Sequence, residues 1–417
     1  MKHRLIRILV FALSAVFLCS CPGALFTAFA EGRHPGSGIV LTESGQSENG
    51  IISTKSERFG AMIADVRVSV GVSARAAVLM EETTGTILFA KNADARLPMA
   101  STTKIMTALV ALENADPDLL ISTPKEAVGT EGSSIYLFEG ETLSLEELLW
   151  ALLLNSANDA AVAIAFGVAG GVEPFAALMN EKALALGLEN THFVNPHGLD
   201  DPDHYTTARD LAIIARAALA NPMIREMVST RKKVIPHNGT DGVRLLVNHN
   251  KLLRLYDGAF GVKTGYTKRT GRCLVSAAAR DGLSLVAVTL DAPSDWNDHR
   301  AMLDAGFAAV SALLLAKAGE IVLSLPVVGG VSNQVSICNS EPAEILLPSG
   351  HGEITRVIEL PRFLYAGFSA GEIVGRAVWY ADGKEIAQTS FIATEAVEKP
   401  KKENWLISLW KKIFHIE

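Results

Sequence analysis

Ser101 and Lys104 are the first residues in the sequence whose types and spacing could do chemistry together. They stand in Ser-Thr-Thr-Lys-Ile-Met-Thr-Ala-Leu, which continues as an almost wholly apolar helix of the buried kind. Residues three apart share one helix face, so the hydroxyl and the amine can meet. A buried lysine is costly unless a neighbour compensates it. Two interpretations stay open for this stretch alone: a serine cap followed by a lysine extended to solvent, or a nucleophile beside its base.

A second short pattern, Leu-Leu-Leu-Asn-Ser-Ala-Asn-Asp, places Ser156 and Asn158 at the break between two apolar helices. Alternate residues of an extended turn point the same way, so a hydroxyl and an amide are expected to face one cleft. Taken alone, the pattern is equally typical of helix caps.

The third pattern is Ala-Phe-Gly-Val-Lys-Thr-Gly-Tyr, which predicts a strand. Lys263 is expected on one face of it, and Phe260, Val262 and Thr264 on the other. Gly265 removes the side chain at a point where a bound backbone could approach the strand closely.

In this order, Ser-x-x-Lys, Ser-x-Asn and Lys-Thr-Gly resemble the serine penicillin-recognising enzymes. The middle residue of the second motif is Ala157, as is usual in the low-molecular-mass penicillin-binding proteins. Further stretches fit that branch, among them Thr-His-Phe-Val-Asn-Pro-His-Gly-Leu and Tyr-Thr-Thr-Ala-Arg-Asp-Leu-Ala. From about residue 70 to its C-terminus, the sequence is similar to D-alanyl-D-alanine carboxypeptidases of the penicillin-binding-protein-5 type, peptidase family S11.

The resemblance implies a role for each motif residue in an acyl-enzyme reaction. Ser101 would attack the carbonyl of the penultimate D-alanine of a peptidoglycan stem peptide, with Lys104 as a neutral base. Ser156 would relay the proton to the leaving amine. The substrate would be held by Asn158 at its amide and by Lys263, Thr264 and Gly265 at its C-terminal end, with the oxyanion at the backbone N–H groups of Ser101 and Tyr266. β-Lactam antibiotics would be covalent inhibitors.

Two other functions are compatible with the same motifs. A class A-like β-lactamase needs a glutamate that activates water, and Glu173-Pro174 superficially resembles that loop. The asparagine expected four residues after the glutamate is replaced by Ala177. The other alternative is a wall-binding protein that keeps the cleft without the activity, and the intact motifs count against it.

Two β-hairpins enclose a helical region and predict the scaffold that positions these residues. The first has the turn Thr83-Thr84-Gly85, and the second has Asp281-Gly282 between Cys273–Ala279 and Leu283–Leu290. Between them, Ser144 with Glu147 predicts a capping box for a helix through Leu154, and Thr207 with Asp210 predicts another for the helix Leu211 to Leu219. We therefore expect an α+β fold, an antiparallel sheet flanked by helices, over residues 71–312. Short alternating runs over 320–395 predict a small all-β sandwich domain after it.

Composition narrows the partners and cofactors. The 417 residues carry a net charge of −7 and no long basic block, so no nucleic-acid partner is expected. His197, His237, His249 and His299 lack metal-ligand spacing, and no metal or other cofactor is expected. Cys273 and Cys338 are far apart, which argues against a disulfide. Arg300 is a minor candidate for the carboxylate site.

The two ends of the chain predict export and attachment to a membrane surface. Lys2, Arg4 and Arg7 precede an apolar stretch, and Ala28-Phe29-Ala30 offers a cleavage site, which gives a signal peptide over 1–30. Lipidation at Cys21 is an alternative. A flexible lead over 31–70 follows. Residues 399–417 predict an amphipathic helix lying on the outer face of the cytoplasmic membrane, as a peripheral anchor. Its apolar stripe consists of Trp405, Leu406, Leu409, Trp410, Ile413 and Phe414.

Overall fold

The computed structural model describes residues 39–42, 63–239 and 242–400. An antiparallel five-stranded sheet forms the centre of the first part of the fold, in the order β3-β2-β10-β9-β8. Its strands are β2 (Ala76–Glu81), β3 (Ile87–Lys91), β8 (Ala259–Thr267), β9 (Gly271–Arg280) and β10 (Leu283–Leu290). Both predicted hairpins are present, and Asp281 and Gly282 have positive φ angles of 48° and 82°, as a tight two-residue turn requires.

Helices cover both faces of this sheet, as the sequence predicted. The helices are α1 (Lys104–Asn114), α2 (Leu145–Trp150), α3 (Asn158–Ala169), α4 (Val172–Ala185), α5 (Ala208–Leu219), α6 (Pro222–Ser229), α7 (Leu252–Leu255) and α8 (Asp295–Ala309). Val286 and Val288 of β10 point into an apolar cluster with α1, α3 and α5. Leu285 and Ala287 point the other way, into a second cluster with α8. We call these the front face and the back face of the sheet.

The predicted caps are found with one difference. Ser144 and Glu147 form a reciprocal capping box at the start of α2. At α5, Thr207 accepts from the N–H of Asp210, but the Asp210 carboxylate accepts from Thr191 instead of closing the box. Helix α2 does not run on to Leu154 as a regular helix, because it changes to a π-helical turn over Ala151–Asn155.

The C-terminal part is all-β, as predicted. A seven-stranded sheet has the order β1-β15-β17-β18-β13-β12-β16, and β11 pairs with β14. The strands of these two sheets are β1 (Ile39–Thr42), β11 (Val310–Ala316), β12 (Val322–Val328), β13 (Gln334–Asn339), β14 (Ala343–Pro348), β15 (Ile354–Leu360), β16 (Leu364–Tyr365), β17 (Ile373–Ala381) and β18 (Lys384–Ala393). Residues of β14, β17 and β18 share the apolar cluster of the back face.

Two small hairpins complete the fold: β4 (Leu120–Ser122) with β5 (Thr142–Ser144), and β6 (Lys232–His237) with β7 (Gly242–Val247). Within the described part of the chain, no single helix is long and apolar enough to cross a bilayer. Helices α3 and α4 meet that criterion only as a pair, with an 83° bend between them.

Some predicted segments lie wholly or mostly outside the described residues. These are the signal peptide over 1–30 with Cys21, much of the lead over 31–70, and the apolar stripe of the C-terminal helix. Within the lead, the structure does describe β1, which pairs with β15, and Ile63, which is fully buried.

Candidate active site

Lys104 is completely buried at the start of α1 and contacts three oxygen atoms. Its Nζ lies 2.9 Å from Ser101 Oγ, 2.6 Å from Asn158 Oδ1 and 2.5 Å from the carbonyl oxygen of His197. The lysine therefore does not extend to solvent. Ser101 does not cap α1 either, because no side chain caps that helix and Thr103 stands at the cap position. Of the two interpretations that the sequence left open, the structure agrees with the buried hydroxyl–amine pair.

The three partners of Lys104 are compatible with an uncharged amine whose lone pair faces Ser101. A neutral amine has two hydrogens, whereas the ammonium form has three. The oxygens of Asn158 and His197 can only accept, so they take both hydrogens of a neutral amine. The remaining lone pair then points to Ser101 Oγ, whose O–H can donate to it. This is the arrangement that a general base needs in order to take a proton from the serine.

Electrostatics favour the neutral form of the Lys104 amine. Burial first, and then the nearby charge of Lys263, lower the pKa of Lys104 well below its usual range, while Asp159 acts in the opposite sense. Burial also lowers the pKa of Lys263 to about 7. The charge of Lys104 also acts on the imidazoles of His197 and His204. Burial is the largest cause that lowers their pKa values, to about 3 and about 4, so both are neutral near pH 7.

Ser101 lies in a short 3₁₀ turn, Ala100–Thr103, that packs directly against β8. A Cβ atom at Gly265 would lie 3.1 Å from both the carbonyl oxygen of Met99 and the backbone nitrogen of Ser101. Gly265 therefore permits a close backbone approach. The sequence predicts a bound backbone at this point, whereas the backbone that approaches here is the chain's own, at the predicted nucleophile.

The loop that presents the His197 carbonyl belongs to the stretch Thr-His-Phe-Val-Asn-Pro-His-Gly-Leu, for which the sequence predicts no individual role. Asn195 shapes this loop by accepting from Gly198 N and donating to Leu199 O. Gly198 has φ of +89°, and a Cβ atom there would lie 1.9 Å from the carbonyl oxygen of Ala100. The contact joins residues almost a hundred positions apart in sequence, so no local pattern could have identified it.

The structure separates Ser156 from Asn158, which were expected to face one cleft. Ser156 has a left-handed conformation at the end of the π-helical turn and lines the cavity beside Ser101. Asn158 is only 4 % exposed, and both polar atoms of its side chain are used internally: Oδ1 by Lys104, and Nδ2 by a 2.6 Å bond to Glu131 O. Both polar atoms are thus occupied by Lys104 and Glu131 in this geometry, and the expected contact of Asn158 with the substrate amide stays a prediction.

The predicted strand carries Lys263, Thr264 and Gly265 as part of β8, at the edge of the sheet. Lys263 is 2 % exposed, and its amine donates to the carbonyl oxygen of Thr264 at 2.9 Å. Thr264 and Gly265 line the cavity. The Lys263 amine is thus already bonded to the chain in this geometry, and its direct contact with a substrate carboxylate stays a prediction. Thr264 lies where such a contact can form.

A cavity of about 370 Å³ runs past Ser101 and Ser156 and along the edge of β8. The sequence missed part of its lining. Arg272 and Lys251 bring positive charge to it, and Arg272 Nε also contacts the carboxylate of Asp295 at 3.1 Å. The lining consists of Ser101, Ser133, Ser156, His249, Lys251, Thr264, Gly265, Tyr266, Arg272, Asp295 and Trp296.

Several residues that the sequence considered lie elsewhere. Arg300 and Glu173 are exposed, on α8 and at the start of α4, and neither lines the cavity. His299 is fully buried on the back face, between the hydroxyls of Ser276 and Thr289. Burial raises the pKa of the Cys273 thiol to about 12, so it stays protonated near neutrality.

Comparison with known families agrees with this geometry. A family model described as D-alanyl-D-alanine carboxypeptidase matches residues 63–294, and one described as the C-terminal domain of penicillin-binding protein 5 matches residues 312–399. The chain is 35 % identical over 336 residues to the D-alanyl-D-alanine carboxypeptidase DacF of Bacillus subtilis, covering 78 % of this chain and 86 % of the relative. It is 32 % identical over 346 residues to DacC of Escherichia coli, covering 79 % and 85 %.

Solved structures give the same result. Penicillin-binding protein 5 from Haemophilus influenzae superposes with a TM-score of 0.58 at 29 % identity, covering 79 % of this chain and 99 % of the other. A DD-transpeptidase from Streptomyces superposes with a TM-score of 0.55 at 34 % identity, covering 58 % of this chain and 99 % of the other.

Proposed function

We propose an acyl-enzyme reaction for this chain, which belongs to the D-alanyl-D-alanine carboxypeptidase family, with Ser101 as the nucleophile. The substrates of this activity are peptidoglycan stem peptides that end in D-alanyl-D-alanine, and β-lactams bind to the same site. The observation that carries the proposed residue roles is the position of Ser101 Oγ, 2.9 Å from the buried amine of Lys104.

In the first step, Ser101 Oγ attacks the carbonyl carbon of the penultimate D-alanine and its proton passes to Lys104 Nζ. The oxyanion that forms is stabilised by the backbone N–H groups of Ser101 and Tyr266. Their proposed pairing is supported by the close approach of Gly265 to the Ser101 nitrogen.

In the second step, the C–N bond breaks and the leaving amine of the terminal D-alanine takes the proton from Lys104 through the hydroxyl of Ser156. Water then hydrolyses the ester, which releases the shortened peptide and restores Ser101. Asn158 keeps Lys104 in place throughout, since its Oδ1 holds one hydrogen of the amine.

The C-terminal carboxylate of the substrate is placed at the edge of β8. The Thr264 hydroxyl binds it there, and Lys263 adds positive potential from within the strand. Lys251 adds positive charge to the same cavity, where Arg272 is paired with Asp295, and this charge favours substrates with a free carboxylate end.

The proposed location follows from the two ends of the sequence. Residues 1–30 direct export, and residues 399–417 lie on the outer face of the cytoplasmic membrane as an amphipathic helix. Deleting residues 401–417 should release the exported protein from membranes while sparing its activity. Undiminished membrane binding would contradict the proposed anchor.

The reaction is tested by incubating the full chain with a pentapeptide that ends in D-alanyl-D-alanine. Stoichiometric release of D-alanine by the wild type, and none by Ser101→Ala, is the expected result. Release by the variant at the wild-type rate would exclude Ser101 as the nucleophile. Rapid, sustained penicillin hydrolysis would favour the β-lactamase alternative, although exposed Glu173 offers no water-activating carboxylate in the cavity.

A further inference from the structure

Asp159 is a buried carboxylate beside the active site for which the proposed reaction has no use. It stands in the first turn of α3, directly after Asn158, and is 1 % exposed. Ser134 Oγ donates to its Oδ2 at 2.6 Å, and Leu137 N donates to the same oxygen at 3.0 Å. The backbone nitrogens of Ile135 and Ala160 donate as well. The carboxylate thus gathers donors from residues 134–137, which directly follow Ser133 of the cavity wall, and from its own helix.

Asn158, the residue before Asp159, donates hydrogen bonds to the residues just before this segment. Asn158 N donates to Ser133 O at 2.7 Å, and Asn158 Nδ2 donates to Glu131 O. Gly132 permits this approach, because a Cβ atom there would lie 2.8 Å from Asn158 Nδ2. Ser133 lines the cavity, so this stretch of chain is one wall of the active site.

A buried ion pair supports the same segment from its other side. Arg244 binds the fully buried carboxylate of Glu141 through two nitrogens, at 2.6 and 2.8 Å. Its Nε also donates to Ile135 O at 2.8 Å. The wall is therefore held between Arg244 on one side and Asp159 on the other.

We propose that Asp159 is a positioning residue for acylation: its carboxylate seats the segment Ser134–Leu137 against Asn158, and its negative charge acts on the neighbouring Lys104. The proposal rests on the proposed role of Lys104 as the base. Removing the charge should make Lys104 easier to deprotonate, because Asp159 opposes the effects of burial and of Lys263 on its pKa.

The other titratable groups near Lys104 do not interfere with measuring its protonation through the pH dependence of acylation. His197 and His204 have pKa values of about 3 and about 4, so they stay neutral from pH 5 upward. Lys263 has a pKa of about 7 and is present in every variant to be compared.

Asp298 supplies a matched control on the back face. It also stands in the first turn of a helix, is 5 % exposed, and accepts from two backbone nitrogens and one serine hydroxyl, all of Ser73 and Ala74. It is not among the groups that shift the pKa of Lys104.

The test measures the rate of acylation by a fluorescent penicillin from pH 5 to 9 in the full chain. Asp159→Asn should move the acidic limb of the profile to lower pH by about one unit and lower the plateau, whereas Asp298→Asn should leave the limb in place. An unmoved or raised limb in Asp159→Asn, or an equal shift in Asp298→Asn, would overturn the proposal.

Ser134→Ala keeps the charge and removes one donor, which covers the case in which Asp159→Asn fails to fold. Here the limb should stay at the wild-type pH while the plateau falls several-fold. A wild-type plateau would contradict the positioning role. The proposed function has a separate test. If Ser101→Ala is still labelled, the proposed function is wrong, whatever the variants at Asp159, Ser134 and Asp298 show.

Discussion

The two faces of the five-stranded sheet each bury a basic group against a serine hydroxyl, yet only one of the two pairs has the geometry of a catalyst. On the front face, Ser101 Oγ lies 2.9 Å from Lys104 Nζ. On the back face, Ser276 Oγ lies 2.5 Å from His299 Nδ1, and Thr289 Oγ1 occupies the other ring nitrogen at 2.9 Å.

The difference between the pairs lies in their surroundings. Ser101 opens onto a cavity, while Ser276 is fully buried. Lys104 has the charge of Lys263 nearby, whereas burial alone lowers the pKa of His299 to about 3, against the opposite effect of a backbone hydrogen bond with Leu274. Burial makes a base neutral in both places. Access for a substrate and an adjacent second amine distinguish the site from a structural contact.

The largest expected effect contrasts the two serines. Ser101→Ala should abolish covalent labelling by fluorescent penicillin, because the attacking oxygen is gone. Ser276→Ala should be labelled at the wild-type rate and lose about 1–3 kcal/mol of stability, because it leaves a ring nitrogen of buried His299 without a partner. Labelling followed by gel fluorescence, with urea unfolding, measures both. Labelled Ser101→Ala would refute the assignment.

The next effect concerns the loop that presents the His197 carbonyl. Gly198→Ala should displace this loop, since the new Cβ atom would collide with Ala100 O, and should cost about 2 kcal/mol or more together with most of the acylation rate. Gly187→Ala is the control: its φ is also positive, at +74°, but nothing lies within 4 Å of the added atom. Equal acylation rates in the two variants would show that the loop does not position the base.

A smaller effect is expected from Lys263→Ala, which removes a like charge near Lys104. The pKa of Lys104 should then rise, so acylation should fall more at pH 6 than at pH 9 and the acidic limb should move upward by about one unit. Turnover of a peptide with a free carboxylate should fall more than that of its amide. Lys251→Ala, on the cavity wall, should leave the limb where it is. A downward shift in Lys263→Ala would contradict the account.

The smallest effect on activity, and a distinct one on stability, belongs to His299. Its pKa is about 3 in the folded state and 6.5 in the reference state, so the unfolded chain binds the extra proton between these values. Stability should therefore fall as the pH drops below 6.5, by up to about 1.4 kcal/mol per unit from this group. His299→Gln should flatten that dependence in urea unfolding at pH 6.5 and 5, with acylation at pH 8 unchanged. A slope as steep as that of the wild type would exclude His299 as its source.

Local patterns predicted the scaffold well. The turn Asp281-Gly282, the capping box of Ser144 and the strand Leu283–Leu290 each depend on a few neighbouring residues, and each is present. The three motifs also identified Ser101, Lys104 and Thr264 as residues that the fold brings to one region.

What the sequence could not predict depends on contacts between distant segments. The π-helical turn that gives Ser156 its left-handed conformation has no local signal in Ala-Leu-Leu-Leu-Asn. The use of Asn158 by Lys104, the contribution of the His197 carbonyl, and the presence of Arg272 in the cavity all require the folded chain. The Asp210 carboxylate does not close the predicted capping box because it accepts a hydrogen bond from the hydroxyl of Thr191, in another segment.

The central claim, that Lys104 is an uncharged base at neutral pH, is most directly tested by NMR titration of side-chain amines in protein labelled at lysine. The signal of Lys104 is identified by its loss in Lys104→Arg. We predict that this amine is neutral at pH 7 and takes up its proton only well below its ordinary pKa. A Lys104 signal that stays that of an ammonium group up to pH 9 would contradict the account.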